Sequence, residues 1–267
     1  MKIPFICVNY NSEEETKKYI INVLQLEKAE VAIIIIVDNS PTDESFLKLK
    51  LFVEKNNFEE NQVVILKKEN KGYFQGLNEG ILYALEIGCK NSFIVGNNDI
   101  IFENSFIVKL LNIYIDEKTL VIAPDVITTE GSHENPHVIN KIGFLRKLKY
   151  DVYYLHYGLA WCLAKIKSTD RKYKSYDPIR KEIHMGIGAL YVLTSNFFNY
   201  FETLSEEVFL YGEEAVLAGQ INSVNGKIVY EPDLVCYHNE SATTSKLDSK
   251  IKYEIVRKSY KIYRKYL

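Results

Sequence analysis

Phe93-Ile94-Val95-Gly96-Asn97-Asn98-Asp99-Ile100-Ile101 is the stretch that decides the fold. An apolar run ends in two amides and a carboxylate, and apolar residues then resume. A buried strand that delivers Asp99 to its carboxyl end puts a charge where open α/β sheets bind their ligands. The same punctuation recurs upstream. Ile3–Val8 reads as a first strand ending in Asn9-Tyr10-Asn11-Ser12, and Val31–Val37 as a second ending at Asp38. Val63–Leu66 reads as a third, before the Asn70-Lys71-Gly72 turn. Helices fall between them: Ser12 suits an N-cap with Glu13, Glu14 and Glu15 behind it, Asp38–Asp43 forms a turn that caps another, and a third lies near Gly76–Ile87. Strands alternating with helices over the first hundred residues predict a doubly wound, mostly parallel sheet.

Beyond Pro124 the pattern loosens. Residues 128–180 are polar, aromatic and basic without a clear period, and Tyr157 and Trp161 read as buried packing. Ile183–Leu193 resembles one more strand, Thr194–Phe201 and Glu213–Asn225 read as helices, and Lys227–Tyr230 and Leu234–Tyr237 as two late strands. Two further groups carry chemistry. Phe209-Leu210-Tyr211-Gly212-Glu213-Glu214 ends in paired carboxylates, and Tyr237-His238-Asn239 supplies a candidate metal ligand.

The 267 residues, 47% of them hydrophobic, suffice for one large domain with an appendage. No apolar run approaches the ~20 residues of a membrane span. The N-terminus lacks a basic segment followed by a long apolar one, so no secretory leader is expected. Cys7, Cys89, Cys162 and Cys236 form no CxxC pair, which suits reduced thiols in a cytoplasmic protein. A net charge of −2 gives no reason to expect nucleic acid as a partner. The charge is unevenly spread: residues 246–267 carry eight basic side chains against Asp248 and Glu254. The simplest partition is a domain over 1–245 and a basic helical tail over 246–267. Within the tail Tyr253, Val256, Tyr260, Tyr263 and Leu267 recur at helical spacing. Such a face suits an anionic membrane surface, the acidic body of the chain, or a second subunit in a homodimer.

Asp38 at the end of the second strand admits a dinucleotide-binding reading, but that requires a GxGxxG turn after the first strand. Asn9-Tyr10-Asn11-Ser12-Glu13-Glu14 has no glycine there, and its acids would repel a pyrophosphate. Taken in order, Val8-Asn9-Tyr10-Asn11, Val37-Asp38-Asn39-Ser40, Asn70-Lys71-Gly72-Tyr73 with Asn78, Asn97-Asn98-Asp99 and the Phe209–Glu214 motif resemble the inverting family-2 glycosyltransferases of GT-A fold. The likeness is nearest to the bacterial rhamnosyl- and galactofuranosyltransferase branch, and it covers residues 3 to about 240.

The resemblance implies a Rossmann-like, mostly parallel central sheet flanked by helices, with a nucleotide-binding half over about 1–125 and an acceptor-binding half over about 126–245. It implies that Asn9, Tyr10 and Asp38 line the nucleoside pocket, Asp38 accepting a hydrogen bond from the base. Gly72 and Asn78 would approach the donor, with Asn97 and Asn98 beside it. Asp99, last residue of the DxD-like motif, and His238 would hold Mn2+ or Mg2+, which needs hard oxygen ligands and is completed by donor oxygens and water. Glu213 and Glu214 match the family's acid pair, with Glu214 as general base. Val216 and Gln220 depart from the family, standing where relatives commonly have an acid and an arginine. Met185-Gly186-Ile187-Gly188-Ala189 resembles the small-residue segment by the acceptor. The implied reaction moves a sugar from a UDP- or dTDP-linked donor to a hydroxyl of a glycan acceptor, lipid-linked in surface polysaccharide synthesis, at the inner face of the cell membrane. A nucleotidyltransferase would need a glycine- and basic-rich loop after the first strand, and a non-catalytic binding protein would have no use for the Glu213-Glu214 pair.

Overall fold

A computed structural model describes residues 2–59, 61–166, 173–239 and 249–267, with backbone alone for 163–166 and 249. The first half alternates as expected: β1 (Ile3–Asn9), α1 (Glu13–Leu24), β2 (Ala32–Asp38), α2 (Asp43–Lys55), β3 (Val63–Lys67), α3 (Tyr73–Glu86) and β4 (Phe93–Asn97). All seven residues of β2 are buried, because helices cover both faces of the sheet and leave no solvent side for a polar alternation. Strands β1–β4 are mutually parallel in the order β3-β2-β1-β4, with Asn9 level with Asp38 and Asp38 level with Lys67. Their carboxyl ends therefore share one edge.

The second half brings β5 (Ile100–Phe102), α4 (Phe106–Asn112), β6 (Thr119–Thr128), α5 (Phe144–Tyr153), α6 (Tyr157–Ile166), β7 (Lys181–Ile183), β8 (Leu190–Leu193), α7 (Glu213–Ser223), β9 (Lys227–His238) and α8 (Ser249–Tyr263). The sheet continues from β4 as β8-β6-β9-β5, with β7 also on β9. β8 runs antiparallel to β4 and β6, as do β5 and β7 to β9, while β6 and β9 form a long parallel ladder. The stretch 183–193 thus holds parts of two strands, with Gly186 and Gly188 in the segment between them. Thr194–Phe201 forms only a short 3-10 turn at Phe197–Asn199. The two late strands are one, β9. Its register against β6 shifts between Pro124 and Asp125, opposite Glu231 and Val235. Pro124 and Pro232 fall at this irregularity, where a residue with no N–H costs the ladder least.

Two apolar clusters lie on opposite faces of the sheet. One joins Ile6, Ile35, Val95 and Tyr191 to α3, α7 and Tyr260 of α8; the other joins Phe5, Ile34, Ile36 and Val192 to α1, α2 and α4. The tail turns Tyr253, Tyr260 and Leu267 into the protein. Arg257 donates to the carbonyls of Tyr154 (2.9 Å) and Leu155 (2.9 Å), Ser259 to that of Leu210 (2.7 Å), and Tyr260 to Asp151 (2.6 Å). The Tyr263 and Tyr266 rings rest on Gly212 and Gly219, where any Cβ would fall 2.1 Å from a ring carbon. No helix of the described residues is long and apolar enough to cross a membrane.

Candidate functional site

At the shared edge of the parallel strands, a cavity of about 400 Å³ is lined by Tyr10, Asn39, Ser40, Pro41, Lys67, Lys68, Glu69 and Asn70. Asn9 and Asp38 form its floor rather than its surface, both being fully buried. The Asp38 carboxylate accepts from Asn9, from Ser40 Oγ (3.0 Å) and backbone N (3.2 Å), and from Lys67 Nζ (2.8 Å). These donors enclose it, so the expected hydrogen bond donated by a base to Asp38 does not fit the arrangement. Asp38 instead shapes the turn that presents Asn39 and Ser40, and Tyr10, 40% exposed, is the aromatic face available to a ring.

Gly72 and Asn78 also serve a different purpose from the one expected. At φ 134° Gly72 lies in the region that favours glycine, and a Cβ there would come 2.9 Å from the Phe209 carbonyl oxygen. The following amide, Tyr73 N, donates to that same oxygen at 3.0 Å. The turn before α3 is thereby fastened to the segment that leads into Glu213. Asn78 is buried, and its amide donates to Leu204 O (2.8 Å) and Glu206 Oε1 (2.8 Å) while accepting from Leu204 N (2.9 Å). It clamps the 204–206 segment and does not reach the cavity. Gln220 is similarly occupied, accepting from Ser205 N (3.0 Å) and donating to Thr203 O (2.8 Å).

The Asn97-Asn98-Asp99 turn sends its side chains three ways. Asn98 points back to α1, donating to Ser12 Oγ (2.8 Å) and Thr16 Oγ1 (2.7 Å), so it braces the helix and is removed from the donor side. Ser12 sits at the N-cap position but its hydroxyl makes no capping bond, being engaged with Asn9 and Asn98. Asn97 accepts from the Tyr73 hydroxyl (2.8 Å) and lies 3.2 Å from His238 Nε2. The pairing of Ile100 with His238 then sets Asp99 beside the histidine, Oδ1 to Nε2 at 3.4 Å.

Glu134 completes this group, its carboxylate 2.9 Å from His238 Nδ1. Glu134 holds the Nδ1 side of the ring and leaves Nε2, the nitrogen that a cation would take in exchange for its proton, facing Asp99. Burial alone would lower the His238 pKa, but hydrogen bonding and ion pairing with Asp99 and Glu134 outweigh it and push it up to about 10. A cation entering here displaces a proton. Ligands ~2.1 Å from one ion lie ~3 Å apart, so the Asp99–His238 spacing fits two positions of one coordination sphere. Among the described residues no group of three or more His, Cys, Asp or Glu side chains could hold an ion unaided. The remaining ligands have to come from a bound molecule and water.

The paired acids open α7. Tyr211 (φ 68°) and Gly212 (φ 93°) are both left-handed and turn the chain into the helix, the first of them at a cost of ~1 kcal/mol or more. Glu213 is buried and folds back to accept from Tyr211 N at 3.0 Å. Glu214 is half-buried and accepts from Gly188 N at 3.3 Å. Burial raises both pKa values, with the Glu214 charge adding to the shift of Glu213. Tyr73 lies between this pair and the Asp99 group, its hydroxyl 3.5 Å from the Gly188 carbonyl. Burial, then the charges of Glu213, Asp99 and Glu214, push its pKa well up, so it remains a donor.

Glu214 faces a second cavity of about 250 Å³, walled by Val138, Ile142, Arg146, Tyr150, Tyr154 and Met185 among others. Sequence reasoning missed Glu134 and this wall. The signal for Glu134 was the cluster His133-Glu134-Asn135-Pro136-His137 just after a strand. His133 binds Asp125 (2.8 Å) and Asn135 binds Pro124 O (2.7 Å) and Ile187 N (2.9 Å), so the cluster is pinned on both sides of Glu134. Trp161, expected in the core, is 51% exposed.

Comparison with known proteins places this geometry in a family. Among solved structures the chain is similar to GalNAc-T7, determined with UDP, GalNAc and Mn2+, at a TM-score of 0.62 and 13% identity over 90% of this chain and 44% of that one. It is also similar to the mannosyltransferase PcManGT from Pyrobaculum calidifontis, in complex with GDP-Man and Mn2+, at a TM-score of 0.58 and 10% identity over 98% of this chain and 64% of that one. The chain therefore spans less than two thirds of either protein, and it shares with them the GT-A fold. No protein of curated function matches it in sequence. The sequence profile described as Glycosyl transferase family 2 matches residues 5–170, which hold four of the five motifs, Asp99 among them. The chain belongs to glycosyl transferase family 2.

Proposed function

We propose that the protein is an inverting glycosyltransferase that moves a sugar from a nucleoside diphosphate donor to a hydroxyl of a glycan. The observation that carries the reading is the convergence of Asp99 and His238 with Glu214 on opposite sides of Tyr73 and Gly188. The nucleoside occupies the cavity between Tyr10 and Asn70, and the diphosphate lies toward Asp99. Asp99 and His238 are the residues that would hold Mn2+ or Mg2+. Such an ion, when bound, neutralises charge on the departing diphosphate.

Glu214, held by the Gly188 amide, takes the proton of the acceptor hydroxyl, which attacks the anomeric carbon in line and inverts it. Its raised pKa improves the match to that proton. The Tyr73 hydroxyl holds Asn97 in place, and the absence of a side chain at Gly188 makes room for the Glu214 carboxylate. The second cavity receives the acceptor, a growing surface glycan on a lipid carrier. The fold of proteins that bind UDP and GDP-Man supports a nucleotide-linked donor. UDP- and dTDP-sugars are the donors that the sequence resemblance implies.

A panel of sugar nucleotides, scored for hydrolysis and thermal stabilisation with and without Mn2+, tests the proposal. One donor should stabilise the chain only with the ion, and Asp99→Ala should abolish that effect. Glu214→Gln should keep donor affinity and lose ~10²–10⁴-fold in turnover, since it removes a base and preserves shape. Full activity in both variants would refute the reading.

A further inference from the structure

We propose that the outer face of α5 and the turn after it seats the protein on an anionic lipid surface, with the acceptor cavity opening beside it. This deepens the functional reading given above and rests on it only for the identity of the acceptor. Phe144, Leu145, Leu148 and Val152 follow at helical spacing along one side of α5, and Leu155 and Leu159 prolong the row into α6. These side chains face solvent: Phe144 is 77% exposed, Leu145 73% and Leu155 62%. Six large apolar side chains in one row exceed the scattered exposure ordinary for a protein surface.

Charge selects the occupant. Residues 141–149 contain Lys141, Arg146, Lys147 and Lys149 and no acid, in a chain whose net charge is −2. Lys141 and Lys149 are exposed at the border of the apolar row. The one acid of α5, Asp151, is charge-paired with Arg264 and accepts from Tyr260 of the tail segment. A two-fold pairing of this face with itself would set cations against cations. An apolar row rimmed by lysines, with the half-exposed Trp161 on the next helix, is the composition of a helix lying in a lipid interface.

The opposite side of α5 gives the placement a purpose. Arg146, Tyr150 and Tyr154 line the cavity that ends at Glu214. One helix thus presents lipid-compatible residues outward and, on its other side, residues that share a cavity with Glu214. An acceptor whose lipid tail stays in the bilayer needs to lift its glycan only across α5.

Flotation of the full chain with vesicles of phosphatidylcholine alone, and of an equal mixture of phosphatidylcholine and phosphatidylglycerol, tests the proposal. The chain should float with the mixed vesicles, less as salt rises. Phe144→Gln with Leu148→Gln should lower its bound-to-free ratio ~tenfold or more. Lys141→Gln with Lys149→Gln should lower it on mixed vesicles only. Trp161 is the sole tryptophan and reports on the unmodified chain: its emission should shift to the blue with mixed vesicles. Absence of flotation and shift, or equal flotation of the apolar variant, overturns the proposal. So does a concentration-dependent dimer that the apolar variant dissolves, which would assign the face to a second copy. Donor hydrolysis without lipid is read separately, so its failure would count against the enzymatic reading and leave this one standing.

Discussion

Gly188→Ala probes whether Glu214 is held as a base or merely present. Gly188 has a φ open to any residue, so alanine adds no backbone strain there. The new Cβ would stand 2.8 Å from Glu214 Oε1 and 3.2 Å from Cδ, and restoring ordinary contact at about 3.4 Å withdraws the oxygen by ~0.6 Å. The 3.3 Å bond from the Gly188 amide is stretched by the same movement. A carboxylate on a helix can yield that distance by rotating, so the fold should lose no more than ~1 kcal/mol. Catalysis is less tolerant: a misplacement of ~1 Å can cost ~10²-fold, and ~0.6 Å should cost ~10-fold or somewhat more in kcat. Donor KM should hardly move. The neighbouring glycine supplies the control. At Gly186 a Cβ would meet Ala123 Cβ at 2.8 Å and the Tyr191 ring at 3.1 Å, both in the core, so Gly186→Ala should lower Tm first. Steady-state kinetics and thermal unfolding of the two variants decide it. Native kcat in Gly188→Ala, or a Tm loss equal to that of Gly186→Ala, would refute the placement of the base.

Three further outcomes are expected. Glu134→Gln should weaken Mn2+ binding ~10-fold or more while leaving nucleotide binding without metal unchanged, because it removes the charge that makes His238 a better ligand; calorimetric titration measures both. Asn78→Ala should cost ~2–4 kcal/mol through the loss of two buried hydrogen bonds and one part-buried and shift Tm by roughly 5–15 °C, with donor affinity intact in the folded fraction; donor loss at native Tm would return Asn78 to the binding site. Activity should rise with pH through a limb above the ordinary carboxylate range, since burial raises Glu214 and the base must be ionised. Glu213 binds its proton more tightly folded than unfolded, so its stabilisation is whole below the unfolded pKa and is lost as pH rises through the folded one. Glu213→Gln should therefore gain stability over wild type at high pH and lose that advantage near pH ~4.

The sheet was legible where periodicity had one cause. In β1–β4 both faces are covered, so β-branched runs ending in polar residues mark the strands and their carboxyl ends unambiguously. β6 and β9 were harder to see because each carries a proline, and only their shared irregularity explains how both remain strands. α5 and α6 were illegible for the opposite reason. α5 does carry an amphipathic period, but its apolar stripe of Phe144, Leu148 and Val152 faces solvent while Tyr150 and Tyr154 face the protein, so the stripe does not mark the buried side. In the proposed site, Asp99, His238 and Glu214 are named by residue type, order and resemblance, and the fold sets the first two 3.4 Å apart. Asn78 and Gly72 could not be separated from donor ligands, since an amide clamp and a glycine under a carbonyl look the same in sequence as contacts to a ligand. Glu134 acts through its neighbour, and nothing local marks a residue whose partner lies in β9.

The short, three-pair ladder of β5 with the end of β9 has a consequence for how this protein comes into being. Asp99 is supplied early in the chain and His238 late, and they meet only because Ile100 stands opposite His238. A slip of one residue would turn the histidine to the other face of the sheet. Every arrangement of the first hundred residues that forms before β9 docks has Asp99 but not the histidine that the proposed ion site pairs with it. If the proposed ion site is correct, capture of a divalent ion would signal that the last strand has found its register, and the ion would report on completed folding.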